Sequence, residues 1–104
     1  MSSGKKKVRE NFRNAVFERD KYRCVTCGIS NVPLDAHHIT DRNEMPNGGY
    51  VKENGISLCD SCHLKAEKFH ISGKTEFEPG YHPDDLYSMI KSAYEKAVKA
   101  SNNL

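Results

Sequence analysis

The sequence contains no tryptophan, and only 37% of its residues are hydrophobic. A chain of 104 residues with so little apolar material fits one small domain with a limited core, which a bound metal would help to stabilise. The chain also lacks an apolar run of about 18 residues and a signal-peptide pattern at its N-terminus. We therefore expect a cytoplasmic protein that does not enter a membrane.

The net charge is only +2, but the charges are unevenly placed. Residues 1–23 contain eight Lys/Arg and three Asp/Glu, a net of 8 − 3 = +5, whereas residues 24–104 have 8 − 11 = −3. The basic residues of the first part suit a phosphate backbone, although a solvated tail that aids solubility explains them equally well. They include Lys5, Lys6, Lys7, Arg9 and Arg13.

Residue patterns predict a mixed α and β chain. We expect residues 1–7 to be a disordered basic tail and residues 8–104 to form a single domain, with its metal-binding core at about 34–70. Apolar spacing and turn residues predict the following elements: a helix over 8–20, strands over 34–40 and 50–58 around a loop at 41–49, a helix over 60–69, an irregular stretch at 72–82 and a helix over 83–100. The apolar face of the last helix is expected to pack on the metal-binding core, although a second subunit is the alternative.

Four cysteines form two Cys-x-x-Cys pairs, Cys24 with Cys27 and Cys59 with Cys62. In a reducing compartment such pairs favour zinc over disulfides, and two pairs supply the four ligands of a tetrahedral structural site. The 31 residues between Cys27 and Cys59 leave room for a β-hairpin. A redox dithiol is the competing interpretation, but the surrounding βαβ pattern is missing. We therefore predict a structural Zn²⁺ site.

A second group of polar residues is not needed for that zinc site. His63 follows Cys62 directly, and successive helical side chains diverge by about 100°, so His63 points away from the zinc. It shares a helix face with Glu67, four residues later. That face can lie against the strand that carries His37. We predict a divalent ion held by His37 and His63, with Asp35 or Glu67 adding a carboxylate.

His38 is then left to act as a general base, because a neutral imidazole can take a proton from water. The amide of Asn54 is expected to hydrogen-bond backbone groups and to hold the 39–53 loop in position. Adjacent strand residues face opposite sides, so His37 and His38 serve one site only if the strand ends or distorts there. His70 and His82 have no such support, and we expect them at the surface.

Together these residues resemble the HNH endonuclease family, over about residues 12–70. The similarity lies in the Val16–Gly28 lead-in to the first cysteine pair, in Asp35-Ala-His37-His38-Ile39, in Asn54-Gly-Ile-Ser-Leu-Cys59 and in Cys62-His63. The resemblance implies an α+β fold with a small ββα-metal (His-Me finger) core, two zinc knuckles and flanking N- and C-terminal helices.

The family resemblance also implies a function and partners. It implies metal-dependent hydrolysis of DNA phosphodiester bonds, with Mg²⁺, Mn²⁺ or a similar catalytic ion, a His38 base, His37 and His63 ligands and a positioning Asn54. Short members resemble phage and mobile-element nucleases, some of which act with a packaging protein inside a bacterial host. Monomers would nick DNA, and homodimers would cut both strands. Expected DNA contacts are Lys5, Lys6, Lys7, Arg42, Lys65 and Lys68.

Two other functions remain open at this point. A zinc-stabilised DNA-binding module without catalysis would need only the cysteines and the basic arm, and it would bind one zinc and no second divalent ion. A zinc-dependent adaptor for protein partners is suggested by the apolar C-terminal face, but it gives no reason for the positions of His38 and Asn54.

Overall fold

The structure is a computed structural model that describes residues 2–104, with side chains from Lys6 onward. Its elements are α1 (Ser2–Arg19), β1 (Leu34–His38), β2 (Gly55–Cys59), α2 (Asp60–Ile71), α3 (Pro83–Met89) and α4 (Tyr94–Asn102), with three short 3₁₀ turns between the strands. Within residues 2–104, none of the helices has both the length and the apolar character needed to cross a membrane. The expected α+β class, with a two-stranded sheet followed by a helix, is confirmed.

The first helix begins earlier than its apolar spacing suggested. α1 is helical from Ser2, whereas residues 1–7 were expected to be disordered and the helix to begin at residue 8; Met1 lies outside the described residues. Phe12 and Val16 are buried and approach β2 at Gly55. A Cβ atom on Gly55 would lie 2.5 Å from Cγ2 of Val16, so only glycine permits this close packing.

The end of α1 is tied to the strand that follows the loop. Lys21 adopts a φ of 58°, and the amide of Tyr22 donates to the carbonyl of Phe17 at 2.9 Å, which terminates the helix in a Schellman-type turn. Just before this turn, Arg19 pairs with Asp20 and also donates to the carbonyl of Gly55 at 2.7 Å. These bonds hold α1 against the start of β2.

The two strands form an antiparallel hairpin whose register pairs Leu34 with Cys59 and His38 with Gly55. β2 is buried along its entire length because α1 and α2 both pack against the hairpin. Both strands are shorter than expected. β1 ends at His38, and β2 starts only at Gly55 because residues 52–54 turn in a 3₁₀ helix. The register brings the histidine end of β1 beside Asn54.

The expected single helix over residues 83–100 is wrong, since two helices occupy this segment. α3 ends where Lys91 adopts a φ of 56°, and the amides of Lys91 and Ser92 donate to the carbonyls of Ser88 and Tyr87. This Schellman motif closes α3 and redirects the chain before α4. A lysine in the left-handed conformation is uncommon, so the break carries no sequence signal of the kind that glycine gives.

Both C-terminal helices pack within the chain, on the segment between the strands. Leu86 and Ala97 are buried in the main core. Nδ2 of Asn47 donates to the carbonyl of Ser101 at 2.9 Å, and Oγ of Ser92 donates to the carbonyl of Glu53 at 2.9 Å. The helices therefore brace the loop that leads to Asn54. Two residues of the predicted apolar face, Met89 and Tyr94, remain exposed.

Candidate metal centres

The four cysteines lie together, with all four Sγ atoms within 4.8 Å of one another. Cys59 is the last residue of β2, and Cys62 lies in the first turn of α2. Cys24 and Cys27 come from the turn after α1, and Sγ of Cys27 lies 3.8 Å from Sγ of Cys59. This set of donors fits a tetrahedral zinc ion, because four thiolates are the usual ligands of closed structural sites.

Backbone hydrogen bonds build the first cysteine turn. The amide of Cys24 donates to the carbonyl of Ile29 at 3.0 Å, and the amide of Gly28 donates back to the carbonyl of Cys24 at 2.8 Å. Gly28 has a φ of +80°, which explains the glycine at this reversal. Val25 donates to the carbonyl of Ser57 at 3.0 Å, which attaches the turn to β2 beside Cys59.

Hydrogen bonds to sulfur affect the thiol groups. Burial raises the pKa of Cys24, but contacts with Thr26 and with backbone amides outweigh it and lower that pKa to about 6. Tyr81 donates from its hydroxyl group to Sγ of Cys62 at 3.3 Å. Sequence reasoning missed Tyr81, which comes from the irregular segment after α2. It supports the sulfur cluster from outside the ligand set by donating a hydrogen bond to one of the four sulfur atoms.

A second cluster consists of His37, His63 and Glu67, whose ligand atoms also lie within 4.8 Å of one another. Oε1 of Glu67 lies 3.2 Å from Nδ1 of His37 and 3.1 Å from Nε2 of His63. His37 comes from β1, and the other two residues come from successive turns of α2. Imidazole nitrogens with a carboxylate suit a divalent transition metal or a harder ion that retains water.

Asp35 lies outside this cluster, on the other side of His63. Its Oδ2 atom is 3.2 Å from Nδ1 of His63, while Nε2 of the same ring faces Glu67. A carboxylate on the far nitrogen of a ligating histidine fixes the tautomer and the orientation of the ring. Of the two acids left open by the sequence, Glu67 therefore has the ligand geometry and Asp35 has the supporting geometry.

The electrostatics of the cluster fit a bound cation. Nδ1 of His37 is buried and has no hydrogen-bond partner of good geometry among the described residues. Burial lowers the pKa of His37, which keeps the ring neutral and able to donate an electron pair to a metal. The contact with His37 lowers the pKa of Glu67 to about 2, so this carboxylate is charged at neutral pH.

His38 faces away from His37, toward α1, yet both residues line one cleft with His63 and Glu67. Its ring stacks on Phe12 with centroids 4.6 Å apart, and Tyr50 packs edge-on at 4.8 Å. Burial lowers the pKa of His38 to about 4, with the positive charge of its neighbours adding to the effect. The ring is therefore neutral at pH 7 and can accept a proton. Because β1 ends at His38, adjacent histidines reach one site.

Asn54 is fully buried and uses both ends of its amide. Its Oδ1 accepts from the amide of Thr40 at 2.9 Å, and its Nδ2 donates to the carbonyls of Thr40 and Gly49 at 3.0 and 3.3 Å. The hydroxyl group of Tyr87 donates to the same Oδ1 at 2.7 Å. Asn54 thus bridges the two ends of the loop after His38. Tyr87 was missed because no local pattern links α3 to this asparagine.

The two remaining histidines differ in their surroundings. The expectation that His70 is a surface residue is wrong, since it lines the same cleft and its Nε2 lies 3.1 Å from the carbonyl of His38. Its position was foreseeable, because His70 lies seven residues after His63 and so shares that face of α2. His82 instead has a local structural contact: its Nδ1 accepts a hydrogen bond from the amide of Asp84 at 3.1 Å, which caps α3.

The basic residues expected to contact DNA occupy different places. Arg42 lines the histidine cleft, and Lys6 lines the adjoining cleft beneath α1. Lys7 is exposed on α1, and the side chain of Lys5 lies outside the described residues. Lys65 and Lys68 lie on α2. Nζ of Lys65 is 5.7 Å from the centre of the Tyr81 ring, and Nζ of Lys68 is 3.2 Å from a carboxylate oxygen of Glu78.

Comparison with known proteins finds a match in the part of the chain that holds both clusters. Residues 24–69 match the family model described as HNH endonuclease. Neither the curated proteins nor the solved structures include a match. The matched segment begins at the first cysteine and includes β1, β2 and nearly all of α2, which are the elements that carry the two metal-binding clusters.

Proposed function

We propose that this chain, whose residues 24–69 match the HNH endonuclease family model, hydrolyses DNA phosphodiester bonds with the help of a divalent cation. The observation that carries the proposal is the position of Glu67. Its Oε1 atom lies between Nδ1 of His37 and Nε2 of His63, in the cleft that His38 also lines. A metal-ligand set and a neutral base that share one cleft match the needs of metal-assisted hydrolysis.

The residues of the cluster have separate roles in this proposal. His37, His63 and Glu67 hold the cation, and Asp35 orients the ring of His63 from the opposite side. When bound, a divalent cation stabilises negative charge on phosphate oxygens, and Mg²⁺ or Mn²⁺ would serve. Three protein ligands leave coordination positions free for water and substrate, as in catalytic rather than structural sites.

His38 removes the proton from the attacking water. Its pKa of about 4 keeps the imidazole unprotonated throughout the neutral range, so the ring is available as a base. A base of this pKa is weaker than one that titrates near pH 7, so the metal must supply much of the activation of the water. The ring is held by Phe12 and Tyr50 on its faces and edge. Tight packing of this kind limits rotation of the ring.

Asn54 positions His38 and does not contact the reacting atoms. It connects the backbone of Thr40, two residues after His38, to Gly49 at the other end of the loop. The four-cysteine site has a structural role, since it joins the turn after α1 to the β2–α2 corner. The three ligands of the catalytic ion all lie on the two elements, β1 and α2, that meet at this corner.

The test is cleavage of supercoiled plasmid with Mg²⁺, Mn²⁺ or EDTA, in which the intact chain is compared with His38→Ala. We expect cleavage that requires the metal and falls by at least about a hundredfold in the variant. His82→Asn is the matched control, because asparagine can still cap α3. Zinc content and circular dichroism verify that each variant is folded.

The products also distinguish the remaining possibilities. Nicked circles indicate a monomer that cuts one strand, and linear DNA indicates paired cuts by a dimer. Full activity in His38→Ala would contradict the mechanism. A folded chain that binds one zinc and no second divalent ion, and that does not cleave DNA, would instead be a DNA-binding module. The phage setting and the packaging partner stay predictions from the family resemblance.

A further inference from the structure

A basic face of α1 borders the proposed catalytic cleft. Lys6, Arg9 and Arg13 lie at positions i, i+3 and i+7 and therefore share one side of the helix. They line a cleft with Asp35, Ala36, His38 and His63. Two residues of the catalytic machinery, His38 and His63, therefore form the floor of a groove of which α1 forms the wall.

The position of this wall is set by packing at the base itself. Phe12, on α1, stacks on the ring of His38, and Val16 packs one turn later against β2 at Gly55. The helix is thus held in contact with the residue that acts as base. The basic side chains that precede and follow Phe12 are carried at a fixed distance from the reacting centre.

The three basic side chains are available to a ligand. All three are exposed, and none forms an ion pair with a carboxylate in the part of the chain that the structure describes. Two acids line the same cleft, Asp35 and Glu10. Asp35 is engaged by His63, so the net charge of the groove wall remains positive.

The groove continues past the histidines to a fourth cation. Ala36, His38 and His63 line both this cleft and the neighbouring one, whose far side includes Arg42. Nη1 of Arg42 lies 3.3 Å from the hydroxyl group of Tyr50. Burial raises the pKa of Tyr50, but the positive charges of Arg42 and Arg9 outweigh it and lower that pKa.

We propose that Arg9 and Arg13, with Lys6, hold the phosphates of the DNA strand on the α1 side of the scissile bond, and that Arg42 adds a contact in the adjoining cleft. This inference rests on the proposed nuclease function and adds a binding surface outside the matched family segment. The strand would cross the histidines alongside this positive surface. Arginine suits this role because its planar guanidinium group binds phosphate oxygens through two parallel hydrogen bonds.

The experiment measures binding of a labelled DNA duplex by fluorescence anisotropy to zinc-loaded protein without added Mg²⁺ or Mn²⁺, which prevents cleavage and leaves His38 stacked on Phe12. Arg9→Ala/Arg13→Ala is compared with Lys96→Ala/Lys99→Ala, which removes the same charge from exposed positions of α4 that do not line the groove. Alanine favours helix, so α1 is retained. Between about 50 and 200 mM salt, the arginine variant should show a slope of log K against log salt shallower by about 2.

The reverse change and the conservative change sharpen the test. Glu10→Gln should increase affinity, since it removes a carboxylate from the groove, and Arg9→Lys/Arg13→Lys should recover part of the loss. Equal slopes for the arginine and lysine pairs would overturn the proposal, as would undetectable binding of duplex by the chain with Arg9 and Arg13 intact.

A second readout separates this proposal from the nuclease function. With Mg²⁺ added, cleavage of plasmid is compared with hydrolysis of bis(p-nitrophenyl) phosphate, which has no flanking phosphates for α1 to hold. The arginine variant should lose roughly tenfold more activity on plasmid than on the small diester. If the intact chain hydrolyses neither substrate, the nuclease function is contradicted. If the arginine variant loses equal activity on both substrates, only the proposed role of α1 is contradicted.

Discussion

The hydroxyl group of Tyr87 donates a 2.7 Å hydrogen bond to Oδ1 of Asn54. The two residues are 33 positions apart, and both are buried. The bond connects α3 to the residue that bridges the loop after His38. The C-terminal helices therefore contribute to the geometry of the proposed catalytic base although they lie outside the segment that matches the family.

Tyr87→Phe should destabilise the chain and weaken cleavage. Removing the hydroxyl group leaves Oδ1 of Asn54 with one donor, Thr40, and leaves the hydroxyl of Thr40 without its partner. We expect a loss of about 1–2 kcal/mol in the free energy of unfolding, measured with urea on zinc-loaded protein. Tyr94→Phe, at an exposed position, is the control. Equal stability of the two variants would show that the buried bond contributes nothing.

Glu67→Gln and Asp35→Asn should weaken binding of the catalytic ion to different degrees. Glu67 lies at ligand distance from both histidine nitrogens, whereas Asp35 contacts only the far nitrogen of His63. Loss of a supporting carboxylate typically costs 10- to 100-fold in metal affinity, and loss of the ligand itself should cost more. The measurement is cleavage rate against Mg²⁺ or Mn²⁺ concentration. Glu76→Gln, an exposed position, is the control, and a larger effect at Asp35 would reverse the assignment.

Removal of zinc should unfold the β2–α2 corner. Four cysteine ligands join the turn after α1 to this corner, and the small core offers little compensation. We expect a large fall in the melting temperature after treatment with a strong chelator and in Cys62→Ala. Tyr81→Phe should retain zinc but release it faster, since only the hydrogen bond to Cys62 is lost. An unchanged melting temperature in zinc-free protein would contradict a structural role.

Stability should fall below about pH 6.5 because the pKa values of His38 and His37 are both lowered in the folded chain. His38 acts between pH 6.5 and about pH 4. Its pKa is lowered from 6.5 to about 4 in the folded chain, so the unfolded chain binds this proton first as the pH falls. The free energy of unfolding then decreases, by at most about 1.4 kcal/mol per pH unit and by less for a partly accessible ring. Glu67, whose pKa is lowered to about 2, contributes a further decrease in the free energy of unfolding as the pH falls from 4.5 to about 2.

His38→Gln separates this contribution from that of the zinc site, because both chains carry the same cysteines. Urea unfolding at pH 7 and pH 5 should show a smaller pH effect in the variant than in the intact chain. An equal effect in both chains would mean that the pKa of His38 is close to its ordinary value in the folded protein.

Much of the candidate site was accessible from the sequence because its ligands follow local rules. Two residues between paired cysteines fix a metal-binding turn, and a spacing of four on a helix places His63 and Glu67 on one face. The α+β class and the order of strands and helix followed from the same local patterns. Each of these depends on residues that are neighbours in the chain.

Contacts between distant segments decided the rest. Only the packed structure distinguishes Glu67 from Asp35, since the two acids approach opposite nitrogens of one imidazole ring. Only tertiary packing brings Tyr87 to Asn54 and the basic face of α1 to the cleft. The break between α3 and α4 depends on a left-handed lysine, a conformation that the sequence does not mark. The sequence determined which groups could bind metal, and tertiary packing decided which atoms face one another.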